Sequence, residues 1–586
     1  RALHQYTARG DVFAAAVTQA STTSHVDLVN KDAMQKLLSE ESGKRLVTTK
    51  EVSAATGPLQ ERWKLAGEAE LVNNFLKLGA FHESTAAEKA AHGRPLPMMC
   101  VWSEDGDLLK CRACVCGNFE EVDPTQQSWT AQAEPSSLFG VLKLGRMRRW
   151  AISKHDVKGA FLNAKIPDGK LVIVSPPPIW VKWGLVSPGT LWTLDAAVYG
   201  LRESPKWWGD ERDKQLKNVK WTDTKMKRPY FLERCSADSR LWFIRDATPG
   251  AKREVLGTLV VYVDDFLLIA PEGQMREQFL EALRKIWTLA KEQTLTRCEP
   301  LTFLGIDIHL QLNGDLKLHQ ERFVDSILKK YSMQDCNALK CVSMDLVPKD
   351  LDEPTIPILR KLQAYSGEFN WLATRTRPDI SYYTSLLASA CSKQSKWSLE
   401  LAQKILRYLQ GTKDQGICIS CSGNENDLVV YTDAGFAGAD THSQSGIVVI
   451  WGGTIIVWRS CKQTVSSLST AEAELYGATL GWQIVEGLRH LIVDFGIDIP
   501  KVRVYIDNKA ALTIAMCGAN WRTRYFAVRG HRLHEEHERE AAELLHCPTA
   551  EMVADCLTKL ATAAVIQVLH GAMEGDRSLT PLLRGC

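Results

Sequence analysis

The chain has 586 residues, enough for about four domains at the usual ~150 residues each. Hydrophobic residues make up 45% and charged residues 24%, a composition that fills ordinary buried cores and excludes a disordered, collagen-like or coiled-coil protein. The formal charge of +2 excludes a uniformly basic nucleic-acid coat but leaves room for a local basic groove.

The 16 cysteines are irregularly spaced and too sparse for a disulfide scaffold, so they read as reduced thiols of an intracellular protein. Cys111, Cys114 and Cys116, like Cys418 and Cys421, have the spacing of half a zinc site. They lie about 300 residues apart in strand-like apolar text and are read as structural thiols. No run of about 20 uncharged apolar residues occurs, and the longest candidate, Val255 to Ala270, is broken at its centre by Asp264 and Asp265. The start at Arg1 lacks a signal peptide and a Met, as expected of a fragment or processed product.

Residues 1 to about 55 are rich in Ser, Thr, Ala and Lys with weak periodicity, and are expected to be a linker. From Glu61 to Leu78 apolar residues recur at helical spacing and Gly79 offers a C-cap. Met98–Trp102 and Leu108–Val115 flank Glu104-Asp105-Gly106-Asp107, which predicts a β-hairpin. Mixed α/β text follows: strand at Trp150–Val157, two strands within Val255–Ala270, helix at Met275–Leu289 and Glu321–Tyr331. The stretch 346–424 is largely helical, with Leu401–Gln410 stopped by Gly411, and a new α/β unit opens at Leu428.

Asp264 and Asp265 sit in Val260–Ile269, a run otherwise apolar enough to be buried. Two adjacent carboxylates there repel each other and are costly to desolvate, so a positive partner must be supplied. A divalent cation fits, since Mg²⁺ takes carboxylate and phosphate oxygens together. Asp156, at the end of the strand ahead of Val157-Lys158-Gly159-Ala160-Phe161, is a third such acid. Three carboxylates from two strands can hold two cations about 3.5–4 Å apart for an in-line phosphoryl displacement.

The wording around these acids is similar to the reverse transcriptase of copia-type LTR retrotransposons. The matching segments are Asp156–Asn163, Tyr199–Trp208, Tyr262–Asp265 and Phe303–Ile306, followed by Thr376–Ile380 and Leu406–Thr412. They occur in the family's order, and the resemblance runs from about residue 60 to 565. It implies an α+β and α/β multidomain chain, a right-hand polymerase of fingers, palm and thumb, then a helical connector and an RNase H-like α/β domain. The implied boundaries are 1–60 for a linker or upstream remnant, 61–345 for the reverse transcriptase, 346–424 for the connection, 425–575 for the RNase H-like domain and 576–586 for a tail.

By position, Asp156, Asp264 and Asp265 would bind metal, and Phe161 would exclude a sugar 2′-hydroxyl or simply fill a core. Tyr262 would face substrate beside the acids. Lys110 and Arg112 lie on the hairpin, where they either neutralise a triphosphate or are solvated. Glu203 stands where the family has Gln, and its charge would repel a triphosphate unless Arg202 or Lys206 pairs with it.

A second set of acids follows. Leu428–Asp433 and Lys501–Asp507 are strand text ending in Asp, Ser469–Glu472 fits a capping box opening a helix through Glu474, and Asp555 falls in helical text near the C-terminus. Strand-Asp, helix-Glu, strand-Asp, helix-Asp is the order of ribonuclease H-like folds. Asp433, Glu474, Asp507 and Asp555 would converge on two cations, with Glu472 serving the capping box. His531, His534 and His537 drift round a helix and miss the H-E-x-x-H spacing by one. They suggest an exposed polar helix, although His531 resembles a family position that would assist the leaving group. Trp521–Tyr525 interleaves aromatics with cations, either as a strand-tracking surface or as an exposed loop.

The resemblance thus implies an RNA-directed DNA polymerase with ribonuclease H activity, within an element capable of DNA integration. Its cofactor would be Mg²⁺, two per active site, or Mn²⁺ in its place. Its partners would be an RNA template, a DNA or tRNA primer, dNTPs and RNA/DNA hybrid, without a membrane, in the cytoplasm within virus-like particles and with entry to the nucleus. The alternatives are a folded but inactive nucleic-acid-binding remnant, or a chain active only as a nuclease. No aspartic-protease loop or integrase core is recognised, and those functions are expected upstream of Arg1.

Overall fold

The computed structural model describes residues 45–91, 93–121, 134–345, 347, 351–437, 442–518 and 527–575. Among these, the strands form four sheets and the chain divides into two compact units. One takes the described residues up to 121 together with 159–211; the other takes 134–158 and everything from 212 onward. This division falls inside the expected 61–345 region, because the segment 159–211 returns to the sheet that holds the N-terminal hairpin.

In the first unit, Leu96–Asp105 and Leu108–Val115 form the hairpin, with Trp102 opposite Cys111. Part of the expected linker is built into the same sheet: Arg45–Val47 pairs with the outer edge of Leu96–Asp105. Helix Thr49–Ala54 follows, closed by a full capping box between Thr48 and Glu51. The helix Gly57–Glu70 continues as a π-helical turn, Leu71–Leu76. Its buried face packs on a tryptophan cluster in which Trp102 meets both Trp63 and Trp183 edge-on at 5.6 Å.

The second unit opens on helix Pro135–Met147, buried from Ser137 through Gly145. A helix buried all round belongs inside a large core. The antiparallel seven-stranded sheet here runs, in order, Gln293–Thr294, Ala151–Asp156, Asp265–Ala270, Gly257–Tyr262, Leu241–Asp246, Arg228–Arg234 and Lys220–Asp223. A four-stranded sheet follows, and its last strand, Gly416–Ile419, comes from beyond the helical stretch to pair with Leu316–His319. The helices between are Ile356–Ala373, Ser381–Ala390 and Ser395–Gln410. They enclose an ion pair of Arg377 and Asp379, both buried, to which the Tyr408 hydroxyl donates at 2.6 Å.

The C-terminal sheet orders its strands Thr454–Lys462, Gln444–Trp451, Leu428–Gly435, Val502–Ile506 and Ala542–His546. The first three are antiparallel and the last two join in parallel through helical crossovers. One continuous apolar core runs from Leu138 in the first helix of this unit to Met573 in its last. On the buried helix Pro135–Met147, the Lys143 ammonium donates to the carbonyls of Ser420 (2.9 Å), Ser422 (2.6 Å) and Gly452 (2.8 Å). No helix among the described residues is long and apolar enough to cross a membrane.

Lys143→Ala removes the ammonium that these three carbonyls accept from, at an expected cost of about 3–5 kcal/mol. Thermal melting of the full chain should show one lowered transition common to the 134–158 segment and the C-terminal sheet; an unchanged melt would count against the clamp.

Candidate active sites

Two clusters of acids lie in the second unit. In the C-terminal one, Asp433 occupies the strand Leu428–Gly435 and Asp507 follows the adjoining parallel strand Val502–Ile506, with Thr432 in register with Ile506. Parallel register therefore places both acids at the same sheet end. Asp555 arrives on a short 3₁₀ helix, Val553–Leu557, where the sequence reads as helical. It can press onto the sheet because residue 446, opposite Asp433, is Gly: a Cβ there would lie 2.7 Å from Thr558 Cγ2 and 2.8 Å from the Ala554 carbonyl.

Ligand oxygens of Asp433, Asp507 and Asp555 lie within 4.8 Å of one another, the one such trio of potential metal ligands among the described residues. Glu474 stands on helix Thr470–Asp494 and is not a member of that trio, but the charges of Asp433 and Asp507 act on it. Gly481 lets this helix close on the sheet, since a Cβ would meet Thr432 Cγ2 at 2.6 Å. The Ser469 hydroxyl caps the helix by accepting from the Glu472 N–H at 3.2 Å. The Glu472 carboxylate accepts from Leu468 N at 2.8 Å, one residue ahead of the expected capping-box partner.

Burial and the neighbouring acids push the Glu474 carboxyl up to about 10 and Asp555 up to about 7, and Asp507 is raised for the same reasons. Glu474 Oε2 and Asp555 Oδ1 are buried without hydrogen-bond partners. A set of hard oxygen donors with unpartnered lone pairs fits Mg²⁺ or Mn²⁺.

The other cluster sits on the edge between Ala151–Asp156 and Asp265–Ala270. Asp156 and Asp265 are directly paired across these antiparallel strands. Asp264 lies in the two-residue turn after Tyr262, and its carbonyl accepts from Val157 N at 3.1 Å. These three acids do not form a ligand trio as close as the C-terminal one. Lys154, two residues before Asp156 on the same strand face, instead pairs with Asp265 Oδ2 at 2.9 Å. Burial foremost, and the Asp156 charge, raise the Asp265 carboxyl against that lysine's pull.

The turn holds Val263 at φ +51°, a conformation that costs a β-branched residue strain. Arg212, buried and bonded to Asp213 at 2.6 Å, donates to the Val263 carbonyl at 3.0 Å. Sequence reasoning missed Arg212; its one signal is an arginine on the buried side of an otherwise polar helix.

Residues 133–344 match the family described as Reverse transcriptase (RNA-dependent DNA polymerase). The retrovirus-related Pol polyprotein from transposon TNT 1-94 of Nicotiana tabacum is 24% identical over 79% of this chain and 34% of its own length. The putative transposon Ty5-1 protein YCL074W of Saccharomyces cerevisiae is 29% identical over 55% of this chain and 98% of its own length. These matches bear out the resemblance to copia-type LTR retrotransposon polyproteins. It spans about a third of the length of the transposon Pol polyproteins it matches, 34% and 30% for the tobacco and an Arabidopsis thaliana relative, RE1. Among solved structures, a foamy viral protease–reverse transcriptase in complex with double-stranded DNA aligns over 83% of this chain and 70% of its own, at 16% identity and TM-score 0.47.

The remaining residues singled out by the copia resemblance lie as follows. In the first unit Phe161 meets the Tyr199 ring edge-on at 4.7 Å, and Arg112 lies over the same ring at 4.5 Å. Lys110 pairs with Asp105 at 3.4 Å on the exposed hairpin. Glu203 is neutralised by neither Arg202 nor Lys206: Lys206 pairs with Asp210, and the partner of Glu203 is Lys170. Lys170 comes from a loop 33 residues earlier in the chain, a distance no local pattern reveals. In the second unit the Tyr262 ring packs 6.4 Å from Phe303. His531 is exposed and pairs with Glu535 at 3.3 Å, while His534 and His537 join no ligand group among the described residues. His546, which sequence reasoning passed over, holds its ring Nε2 3.1 Å from the Asp507 carbonyl oxygen. Trp521–Tyr525 lies outside the described residues.

Glu474 and Asp555 hold their protons more tightly folded than unfolded, so without a cation these two groups favour the fold at low pH. The contribution of Glu474 is lost as pH rises from about 4.5 toward about 10. In chelator, Glu474→Gln is expected to melt higher than the parent above neutral pH and to flatten the pH dependence. Melting curves at several pH values check this, and a variant that melts lower at every pH would refute it.

Proposed function

We propose that the chain is an RNA-directed DNA polymerase with a ribonuclease H. The first acid cluster would serve addition of dNTPs to a primer 3′-hydroxyl, and the second hydrolysis of RNA in the hybrid. In this reading the hairpin Leu96–Val115 belongs to the fingers, the seven-stranded sheet is the palm, and the four-stranded sheet with helix Glu321–Lys330 is the thumb. Ile356–Gln410 is the connection, and the strands from Leu428 onward are the RNase H-like domain.

The observation that carries the reading is the convergence of Asp433, Asp507 and Asp555 at one sheet end, with Glu474 buried against them. The direct pairing of Asp156 with Asp265 supports the polymerase half. Bound at these carboxylates, divalent cations would supply Lewis-acid stabilisation to the attacking and leaving oxygens of a phosphoryl displacement. The chain's own contribution is to fix the carboxylates before substrate arrives. Backbone pairing sets Asp156 against Asp265, Arg212 pins the turn that bears Asp264, and the Thr558 hydroxyl donates to Asp433. Lys170 neutralises Glu203, so the departure from Gln adds no unpaired charge near a nucleotide.

The test is Mg²⁺-dependent extension of a DNA primer on labelled RNA, with cleavage of that RNA followed in the same tube. Asp264→Asn should reduce extension by on the order of a thousandfold or more and spare cleavage, and Asp433→Asn should do the reverse. Cleavage without extension would leave the nuclease alone, while tight hybrid binding with neither activity would sink the enzyme reading.

A further inference from the structure

Each acid cluster carries a lysine set directly against it. Lys559 Nζ lies 2.9 Å from Asp555 Oδ2 and 4.0 Å from Asp433 Oδ2, with its side chain 46% exposed. Lys154 Nζ lies 2.9 Å from Asp265 Oδ2, with its side chain 21% exposed. The two arise from unrelated local structure. Lys559 follows the 3₁₀ turn four residues after Asp555, whereas Lys154 precedes Asp156 by two residues on one face of a strand.

Carboxylates this close repel one another, and the repulsion grows as water is excluded. An ammonium on a flexible stem is the least expensive local remedy, because it is a compact charge that can also be withdrawn to solvent. The remedy is partial in the C-terminal cluster. Lys559 reaches one oxygen of Asp555 and leaves the other, with Glu474 Oε2, buried and unpartnered. The lysine therefore covers part of the negative charge and leaves open the lone pairs that a harder, doubly charged ion would take.

We propose that Lys559 and Lys154 are resident countercations, positioning residues that hold each carboxylate cluster together before a divalent cation binds and that give way when it does. This rests on the reading that both clusters load such cations. The consequence runs against simple expectation: deleting either lysine removes a competing positive charge, so cation binding tightens while the cation-free cluster loosens. For partly exposed ammonium groups the expected tightening is about five- to tenfold.

The experiment is Mn²⁺ binding to the full chain without nucleic acid, read by electron paramagnetic resonance of free Mn²⁺, together with melting in chelator. Lys559→Met should tighten one class of sites and Lys154→Met the other, each lowering the melting temperature in chelator. Lys559→Arg, which keeps the charge, should stay within about twofold of the parent in affinity. Should Lys559→Met not fold, Lys559→Gln carries the same test, and Lys154→Met carries it separately at the other cluster. Unchanged or weaker Mn²⁺ binding by the folded neutral variants would overturn the proposal. A parent chain that binds no Mn²⁺ at millimolar concentration would instead overturn the reading of the clusters as cation sites.

Discussion

Negative charge forced into small, poorly hydrated volumes is the constraint around which the second unit is arranged. Asp433, Asp507 and Asp555 share a sheet end, Glu474 is buried against them, and Asp156 faces Asp265 across a strand pair. None of these placements is favourable on its own, since a desolvated carboxylate is costly and a neighbour of like charge makes it more so. They persist because backbone register and close helix–sheet packing impose them. Gly446 and Gly481 remove the side chains that would keep Asp555 and the Glu474 helix at a distance. The folded chain thereby stores unfavourable electrostatics that a bound divalent cation would relieve.

The same economy governs the turn at Val263. A β-branched residue at positive φ is unfavourable, yet here it orients Asp264 between two strands, and a buried arginine from a distant helix holds its carbonyl. Strain of this kind survives only where the surroundings over-determine it. The Arg212–Asp213–Arg240 group supplies that restraint, with Arg240 reaching Asp213 at 3.2 Å.

Much of this was legible in the sequence because periodicity and burial speak locally. An apolar run interrupted by two acids predicts a strand, a turn and a strand, and the structure has Gly257–Tyr262 and Asp265–Ala270 there. The elements carrying Asp433, Glu474 and Asp507 were readable in the same way. What escaped was long-range or unusually compact. The Thr48–Glu51 capping box was present in the text but drowned by weak apolar periodicity around it. Asp555 was read in helical text, but that its helix is a short 3₁₀ one, Val553–Leu557, was not. The partner of Glu203 and the anchor of Val263 are chosen by tertiary approach, which spacing along the chain does not encode. The return of 159–211 to the first unit is of the same kind, a matter of which sheet edge is free.

The buried ammonium of Lys143 has a consequence for how such a chain can change over generations. It ties a helix near residue 140 to carbonyls near residues 420 and 452, inside one uninterrupted core. The polymerase-like sheet and the C-terminal sheet therefore do not behave as interchangeable cassettes. Recombination that joins one element's front half to another's back half inherits a mismatched interior unless the lysine, its three carbonyls and the apolar residues around them travel together. Stretches that look like separable modules on paper share one interior, so a substitution in either half is felt by the packing of the other.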